Sequence, residues 1–214
     1  MKGNQSQITV AVVTGGHHYD VPNFHRLFRK FPSLDCYIQH MDDFAASSES
    51  VRDGYNAVVF FNFNVIPIPE GKEKEAIERL GSTEQGIVVL HHALWSYPQW
   101  PAWTDLIGIA NGGLGAQVGQ QLHLEISNVR HPITTGLQSW DMIDETYQMA
   151  DAATNSEILL TTEHPGSMKT IAWTRQHGKS RVSCLELGHN NQAWTDANFR
   201  IILKQGIEWC ANKK

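Results

Sequence analysis

Little charge, little cysteine and no long apolar run mark this chain, and each shortage removes a class of protein. Charged side chains make up only 18% of the 214 residues, and 17 basic against 22 acidic groups leave a net charge of −5. A surface that holds a phosphate polymer needs the opposite balance, so nucleic acid is not an expected partner. No apolar stretch approaches the ~20 residues that span a bilayer, so no membrane partner is expected. The segment Met1 to Gln5 carries no apolar signal run, and a cytoplasmic location is the expectation. Cys36, Cys184 and Cys210 are odd in number, contain no CxxC pair and lie among apolar neighbours; they read as small core residues and not as a disulfide framework. Neither GxGxxG nor GxxxxGK[ST] occurs, which argues against a nucleotide cofactor, and no HExxH occurs to announce a metal.

What remains is a globular composition, 41% apolar and 9% aromatic, with no break that separates two cores, so one domain over residues 1–214 is expected. Ile8 to Thr14 is an unbroken β-branched run ending in Gly15-Gly16, the pattern of a strand buried on both faces. A helix follows over Val21 to Phe31, then a second strand over Leu34 to Met41. Buried strands follow at Asn56 to Phe63 and Gly86 to Leu90, with a helix between them that opens at Pro69-Glu70 and stops at Gly81. This alternation predicts a parallel sheet covered by helices on both faces. Gln99 to Gly108 reads as a helix and the Gly-rich Asn111 to Gln121 as a loop. His123–Ser127, Ile158–Thr162, Thr170–Thr174 and Arg181–Leu187 read as shorter strands, spaced closely enough for antiparallel pairing. Asp196 to Cys210 closes the chain as a helix.

The distinctive residue is histidine. There are 11, including the pairs His17-His18 and His91-His92. Three polar motifs fall at predicted strand exits: Gly15-Gly16-His17-His18-Tyr19-Asp20, His91-His92-Ala93-Leu94-Trp95 and Gly188-His189-Asn190-Asn191. Ligands of open parallel sheets bind at such exits. A single histidine there can simply cap backbone groups, but the set favours function. If His91 and His92 stayed in strand conformation their side chains would face opposite ways, so only one would enter a site unless the chain turns sharply. Which one is left open. General acid/base chemistry requires one imidazole oriented by a carboxylate. A divalent metal such as zinc requires more, and His18, Asp20, His91 or His92, and His189 could supply its ligands. Gly16, Tyr19, Asp20, Trp95 and Asn190 are candidate substrate contacts. Trp95, Trp100 and Trp103 could stack on a sugar ring or simply fill the core. Asp144-Glu145 reads as a turn whose carboxylates are either solvated or functional; His131 before Pro132 reads as a loop marker.

These motifs, together with Val88-Val89-Leu90 before His91, His131-Pro132-Ile133-Thr134-Thr135-Gly136-Leu137, Asp144-Glu145-Thr146-Tyr147, and Arg181-Val182 through Gly188-His189 with Trp194 and Phe199, resemble the ThuA-like (trehalose-utilisation) family. The resemblance implies an α/β, flavodoxin-like three-layer sandwich with a mainly parallel sheet, as in class I glutamine amidotransferases. Those enzymes carry a nucleophilic Cys at the turn where this chain has His91-His92, so thiol-based glutamine hydrolysis is not expected. It further implies a sugar substrate, such as a 3-keto glycoside, with proton abstraction next to the ketone leading to isomerisation, elimination or hydrolysis. On that reading His92 or His189 is the base, Glu145 orients a histidine or acts as acid, and His18 with His91 holds the oxyanion or a metal. Two alternatives stand beside it, a non-catalytic sugar-binding or scaffold protein and a metal-dependent hydrolase. The oligomeric state, a homo-oligomer included, stays open.

Overall fold

The computed structural model describes residues 7–110 and 115–211. The predicted strand Ile8–Thr14 is found with those bounds (β1), and its interior from Val10 to Val13 is fully buried. Helix α1 (Val21–Arg29) buries Phe24, Leu27 and Phe28, and starts at an Asp20 side-chain cap with Pro22 in its first turn. Strand β2 (Leu34–His40) stops one residue earlier than predicted because Met41 opens α2 (Met41–Ala46), for which the His40 ring accepts the Asp42 N–H. A further short helix, α3 (Glu49–Arg52), precedes β3 (Ala57–Phe60). Next come α4 (Gly71–Glu78), β4 (Gly86–Leu90), a tight 3-10 turn over His91–Trp95, and α5 (Pro101–Ile107).

The last third of the chain supplies β5 (Ala116–Ile126), β6 (Trp140–Tyr147), β7 (Glu157–Thr161), β8 (Thr170–His177), β9 (Ser180–Leu185), α6 (Asn191–Thr195) and α7 (Ala197–Ala211). The nine strands form one sheet in the order β2-β1-β3-β4-β9-β8-β7-β5-β6. Pairings from β2 across to β9 are parallel, and those from β9 to β6 are antiparallel, as the close spacing of the late strands predicts.

Alternation along the buried strands explains the layers. Val10, Val12, Val59, Val88 and Leu90 pack with Phe24, Phe28, Ile202 and Ile207, placing α1 and α7 on one face. Ala11, Val13, Phe60, Ile87 and Val89 pack with Phe44, Ile77, Trp103 and Leu106, placing α2, α4 and α5 on the other. Each fully buried Leu, Ile or Phe contributes about 1.5–3 kcal/mol, so both covers are held chiefly by side-chain burial. At Gly86 a Cβ would overlap the Cys210 main chain, so glycine lets α7 lie directly on β4. Trp100 and Trp103 belong to this core. Among the described residues no helix is long and apolar enough to cross a membrane.

Two expectations are corrected. The predicted loop Asn111 to Gln121 overlaps β5, which already begins at Ala116; its first four residues lie outside the described residues, as does the N-terminal segment Met1 to Gln5. Asp144-Glu145 lies in a strand, not a turn. Along β6 the buried positions include Trp140, Met142, Asp144 and Thr146, so the two-residue period is present, but half of its inward side chains are polar and disguise it.

Candidate active site

The parallel half of the sheet sends β1, β3, β4 and β9 to the same edge, where their exits converge. Because β4 and β9 are hydrogen-bonded neighbours with Leu90 opposite Leu185, the segments carrying His91 and His189 leave the sheet side by side. The third contributor comes from far away in the strand order. Strand β5 touches β7 only through Glu125 and Ile126, while its remaining length pairs with β6. That hairpin is therefore free to swing back and bring β6 over the β4 and β9 exits.

Backbone geometry at His91 decides how the adjacent histidines are used. Its φ is +54°, a left-handed value unusual for a residue with a side chain and costing on the order of 1–3 kcal/mol. This sharp turn lets both rings point inward, but into different surroundings, with centroids 5.2 Å apart. His91 Nδ1 lies 2.7 Å from the Glu186 carbonyl oxygen, which can only accept, so Nδ1 carries the proton and Nε2 faces the cluster. Around Nε2 lie the Tyr147 hydroxyl at 2.9 Å, Glu145 Oε2 at 3.1 Å and His189 Nδ1 at 3.3 Å. The Glu145 oxygen is also 3.0 Å from His189 Nδ1.

A buried carboxylate holds this arrangement from behind. Asp144 accepts the main-chain N–H groups of Gly188 at 2.7 Å, His189 at 3.1 Å and Glu145 at 2.9 Å. Glu186 Oε1 accepts the Tyr147 N–H at 2.8 Å. Complete burial pushes the Glu186 carboxyl well above its ordinary value, with the neighbouring Asp144 adding to the shift. Burial also raises Tyr147, which keeps its hydroxyl proton, and raises Asp144. For Glu145 burial again pushes upward, but hydrogen bonds from His189 and His91 outweigh it and hold the carboxyl below its ordinary range. His189 is raised by its hydrogen bond with Glu145, against the effect of burial.

His92 occupies the other side of the turn. Its Nε2 donates to the Phe61 carbonyl at 2.7 Å, and its ring lies between Phe61 and His17. Burial pulls its pKa down to about 2, with the nearby His91 adding to the shift. Buried, and with Nε2 given to a main-chain carbonyl, His92 is a weaker candidate for the general base than an exposed imidazole. His17 is exposed; its ring centroid is 4.7 Å from that of His92, 5.8 Å from Phe63 and 6.4 Å from His189. Partial burial lowers its pKa, leaving the ring unprotonated at neutral pH.

The cluster therefore brings together His91, His92, Glu145 and His189 from the predicted set, with the Trp95 ring tilted against Tyr147, centroids 5.1 Å apart. It does not bring in His18, whose exposed side chain makes no hydrogen bond or ring contact among the described residues. Asp20 caps α1, accepting from the Asn23 main-chain and side-chain nitrogens, and Asn190 caps α6 by accepting the Gln192 N–H. Tyr19 packs on Phe24 and Phe61. Gly16 has φ +73°, and a Cβ there would overlap the Phe63 carbonyl oxygen, so glycine permits the approach that presents His17. Among the described residues the metal-type donors that share one point are His91, Glu145 and His189. The foursome His18, Asp20, His92 and His189 does not converge, because Asp20 and His92 are committed to the backbone.

His17, Asp144 and Tyr147 are the participants that spacing alone misses. Beside the cluster, a cavity of about 230 Å³ lined by Gly15, Gly16, His40, Asn62, Phe63 and Glu73 opens at the exits of β1, β2 and β3. Cys184 and Cys210 are buried in the core, and no thiol lies at the β4 exit.

With this geometry described, the comparisons place the chain. The family model for ThuA, described as trehalose utilisation, matches residues 9–210. The chain belongs to the ThuA family. Solved structures similar to this ThuA protein include a ThuA-like protein from Parabacteroides merdae, 21% identical with a TM-score of 0.77, covering 97% of this chain and 91% of that one. A ThuA-like protein from Bacteroides uniformis is 19% identical with a TM-score of 0.78, covering 98% and 94%. A glutamine amidotransferase from Thermotoga maritima is 10% identical with a TM-score of 0.56, covering 95% and 99%. At these identities the likeness is one of fold, the flavodoxin-like α/β sandwich that the amidotransferases share. No curated protein matches the chain.

Proposed function

We propose that this ThuA-family protein is a sugar-utilisation enzyme that acts on a keto sugar or 3-keto glycoside, such as 3-keto trehalose, by removing the proton next to the ketone. One observation carries the reading: Glu145 Oε2 lies within 3.1 Å of both His91 Nε2 and His189 Nδ1 at the strand exits, with the Tyr147 hydroxyl against the same His91 nitrogen. The Tyr147 hydroxyl and imidazole N–H groups oriented by the Glu145 carboxylate are the donors that can stabilise an oxyanion there. The family's description as trehalose utilisation supports the sugar class.

The chemistry needs one base and one electrophilic centre. A ketone at C3 acidifies the hydrogen on C2. His17, the exposed imidazole facing the cluster, takes that proton; the C2–H electron pair forms C2=C3 and the carbonyl oxygen becomes an oxyanion at the His91–Glu145–His189–Tyr147 centre. Transfer of the O2 hydroxyl proton to O3, with return of a proton from His17 to C3, moves the ketone to C2 and gives an isomer. Alternatively the electron pair forms C1=C2, the ketone is restored, and the C1 substituent departs with its bonding electrons and takes up a proton. The cavity beside Phe63 offers room for the rest of a glycoside.

Incubation with a 3-keto glucoside in deuterated water, followed by proton NMR, tests the reading. Wild-type protein is expected to exchange the C2 hydrogen, and His17→Ala to exchange it about 10²–10⁴-fold more slowly, the usual contribution of a positioned base. No exchange by the wild type, or full exchange by His17→Ala, would contradict the proposal.

A further inference from the structure

We infer that His91, Glu145 and His189 form a binding site for one divalent transition-metal ion, zinc being the best chemical match, with an open position for a substrate oxygen. The three donor atoms form a triangle with sides of 3.0, 3.1 and 3.3 Å. A tetrahedral ion with bonds of about 2.0–2.1 Å to nitrogen and oxygen separates its ligand atoms by about 3.3 Å. The donors thus already outline one face of such a tetrahedron, and small outward movements complete the fit.

The Glu186 carbonyl holds His91 by Nδ1, which turns Nε2 toward the Glu145 carboxylate oxygen 3.1 Å away. A ligating imidazole whose other nitrogen donates to a main-chain carbonyl is the usual outer-shell arrangement of a metal site. Asp144 extends that shell, since its carboxylate fixes the main-chain nitrogens of both other ligands, Glu145 and His189.

Access and donor type complete the case. The His91 side chain is sealed from solvent, whereas Glu145 and His189 retain 12% and 22% exposure, so the remaining coordination position faces the side from which a ligand enters. Two imidazoles with one carboxylate suit zinc, cobalt or iron, and not calcium or magnesium, which take oxygen ligands. Such an ion would be the electrophile of the centre described above. In that use the inference rests on the keto-sugar reading, although binding of the ion does not.

The test uses the untagged full chain, stripped with a chelator and dialysed, then titrated with Zn²⁺ by calorimetry and with Co²⁺ by visible absorption. One equivalent of zinc per chain and an intense tetrahedral-type cobalt spectrum are expected. Glu145→Gln and His189→Asn should each lose at least about 100-fold in zinc affinity, the upper end of what outer-shell changes cost. His123→Ala, which removes an exposed imidazole far from the cluster, should retain wild-type affinity. Absence of stoichiometric binding by the wild type, or undiminished affinity in both cluster variants, would overturn the site. Stoichiometric zinc without C2 exchange would remove the keto-sugar reading and leave the site standing. Undiminished C2 exchange by chelator-stripped protein would overturn the ion as electrophile and leave the sugar reading standing.

Discussion

Asp144→Ala tests whether a single buried carboxylate assembles the cluster. Asp144 is 3% exposed and accepts three main-chain N–H groups, from Glu145, Gly188 and His189. Removing it leaves those donors without a partner, each at about 1–3 kcal/mol when buried. Since His189 and Glu145 are partly exposed and can recruit water, roughly 3–6 kcal/mol of the expected 5–15 kcal/mol total is the realistic loss. For a domain of this size each kcal/mol shifts Tm by about 2–4 °C, so Tm should fall by roughly 6–24 °C. Asp141→Ala provides the contrast on the same strand. That residue is 65% exposed and pairs only with exposed His123, so its loss should cost within about 1 kcal/mol. Paired thermal melts by circular dichroism are sufficient. Equal Tm values for the two variants would refute the claim that Asp144 organises the β6 and β9 exits.

Other consequences are equally direct. Gly16→Ala should destabilise by about 2 kcal/mol or more, from the left-handed backbone and the overlap with Phe63, and should slow C2 exchange by displacing His17; a urea melt and the exchange assay read both. Cys36 is pushed up to about 12 by burial, while Cys184 and Cys210 are buried and raised as well, so iodoacetamide at pH 8 should label the native protein hardly at all and the denatured protein at all three thiols. Rapid labelling of the folded chain would contradict the assignment of these thiols as inert core residues. Asp53 is held below its ordinary 3.8 by the hydrogen bond from Arg79. Its contribution is present above that value and lost as pH falls below it, so Arg79→Gln should lower stability slightly at neutral pH and converge with wild type in acid. A constant difference across pH, measured by urea denaturation, would exclude this pair as its source.

The parallel half of the fold is legible because its strands are buried on both faces. Val10–Val13 within β1 and Ile87–Leu90 within β4 are continuous apolar runs, and nothing else in the sequence competes with a strand there. Strand β6 is illegible for the reason that it matters: Asp144 and Thr146 occupy inward positions that periodicity reserves for apolar residues, so a strand carrying half the cluster reads as a polar turn. Helices α2, α3 and α6 are each six residues or fewer, too short for a 3.6-residue period to show. Within the site, the histidine-bearing exits follow from sheet logic, but the choice between neighbours does not. His17 instead of His18, and the separate orientations of His91 and His92, depend on φ values at Gly16 and His91 that only coordinates supply. Asp20 and Asn190 show the opposite case, polar residues at strand exits whose side chains cap the next helix.

The central claim is that a keto sugar reacts at the junction of the β4, β6 and β9 exits. A crystal structure of Glu145→Gln soaked with a 3-keto glucoside tests it most directly. The account predicts the ketone oxygen within about 3 Å of the His91, His189 and Tyr147 polar atoms, a hydrogen-bonding distance, with C2 facing His17. A sugar bound instead in the cavity lined by His123 of β5 and His164 in the loop after β7, with the cluster empty, would contradict it.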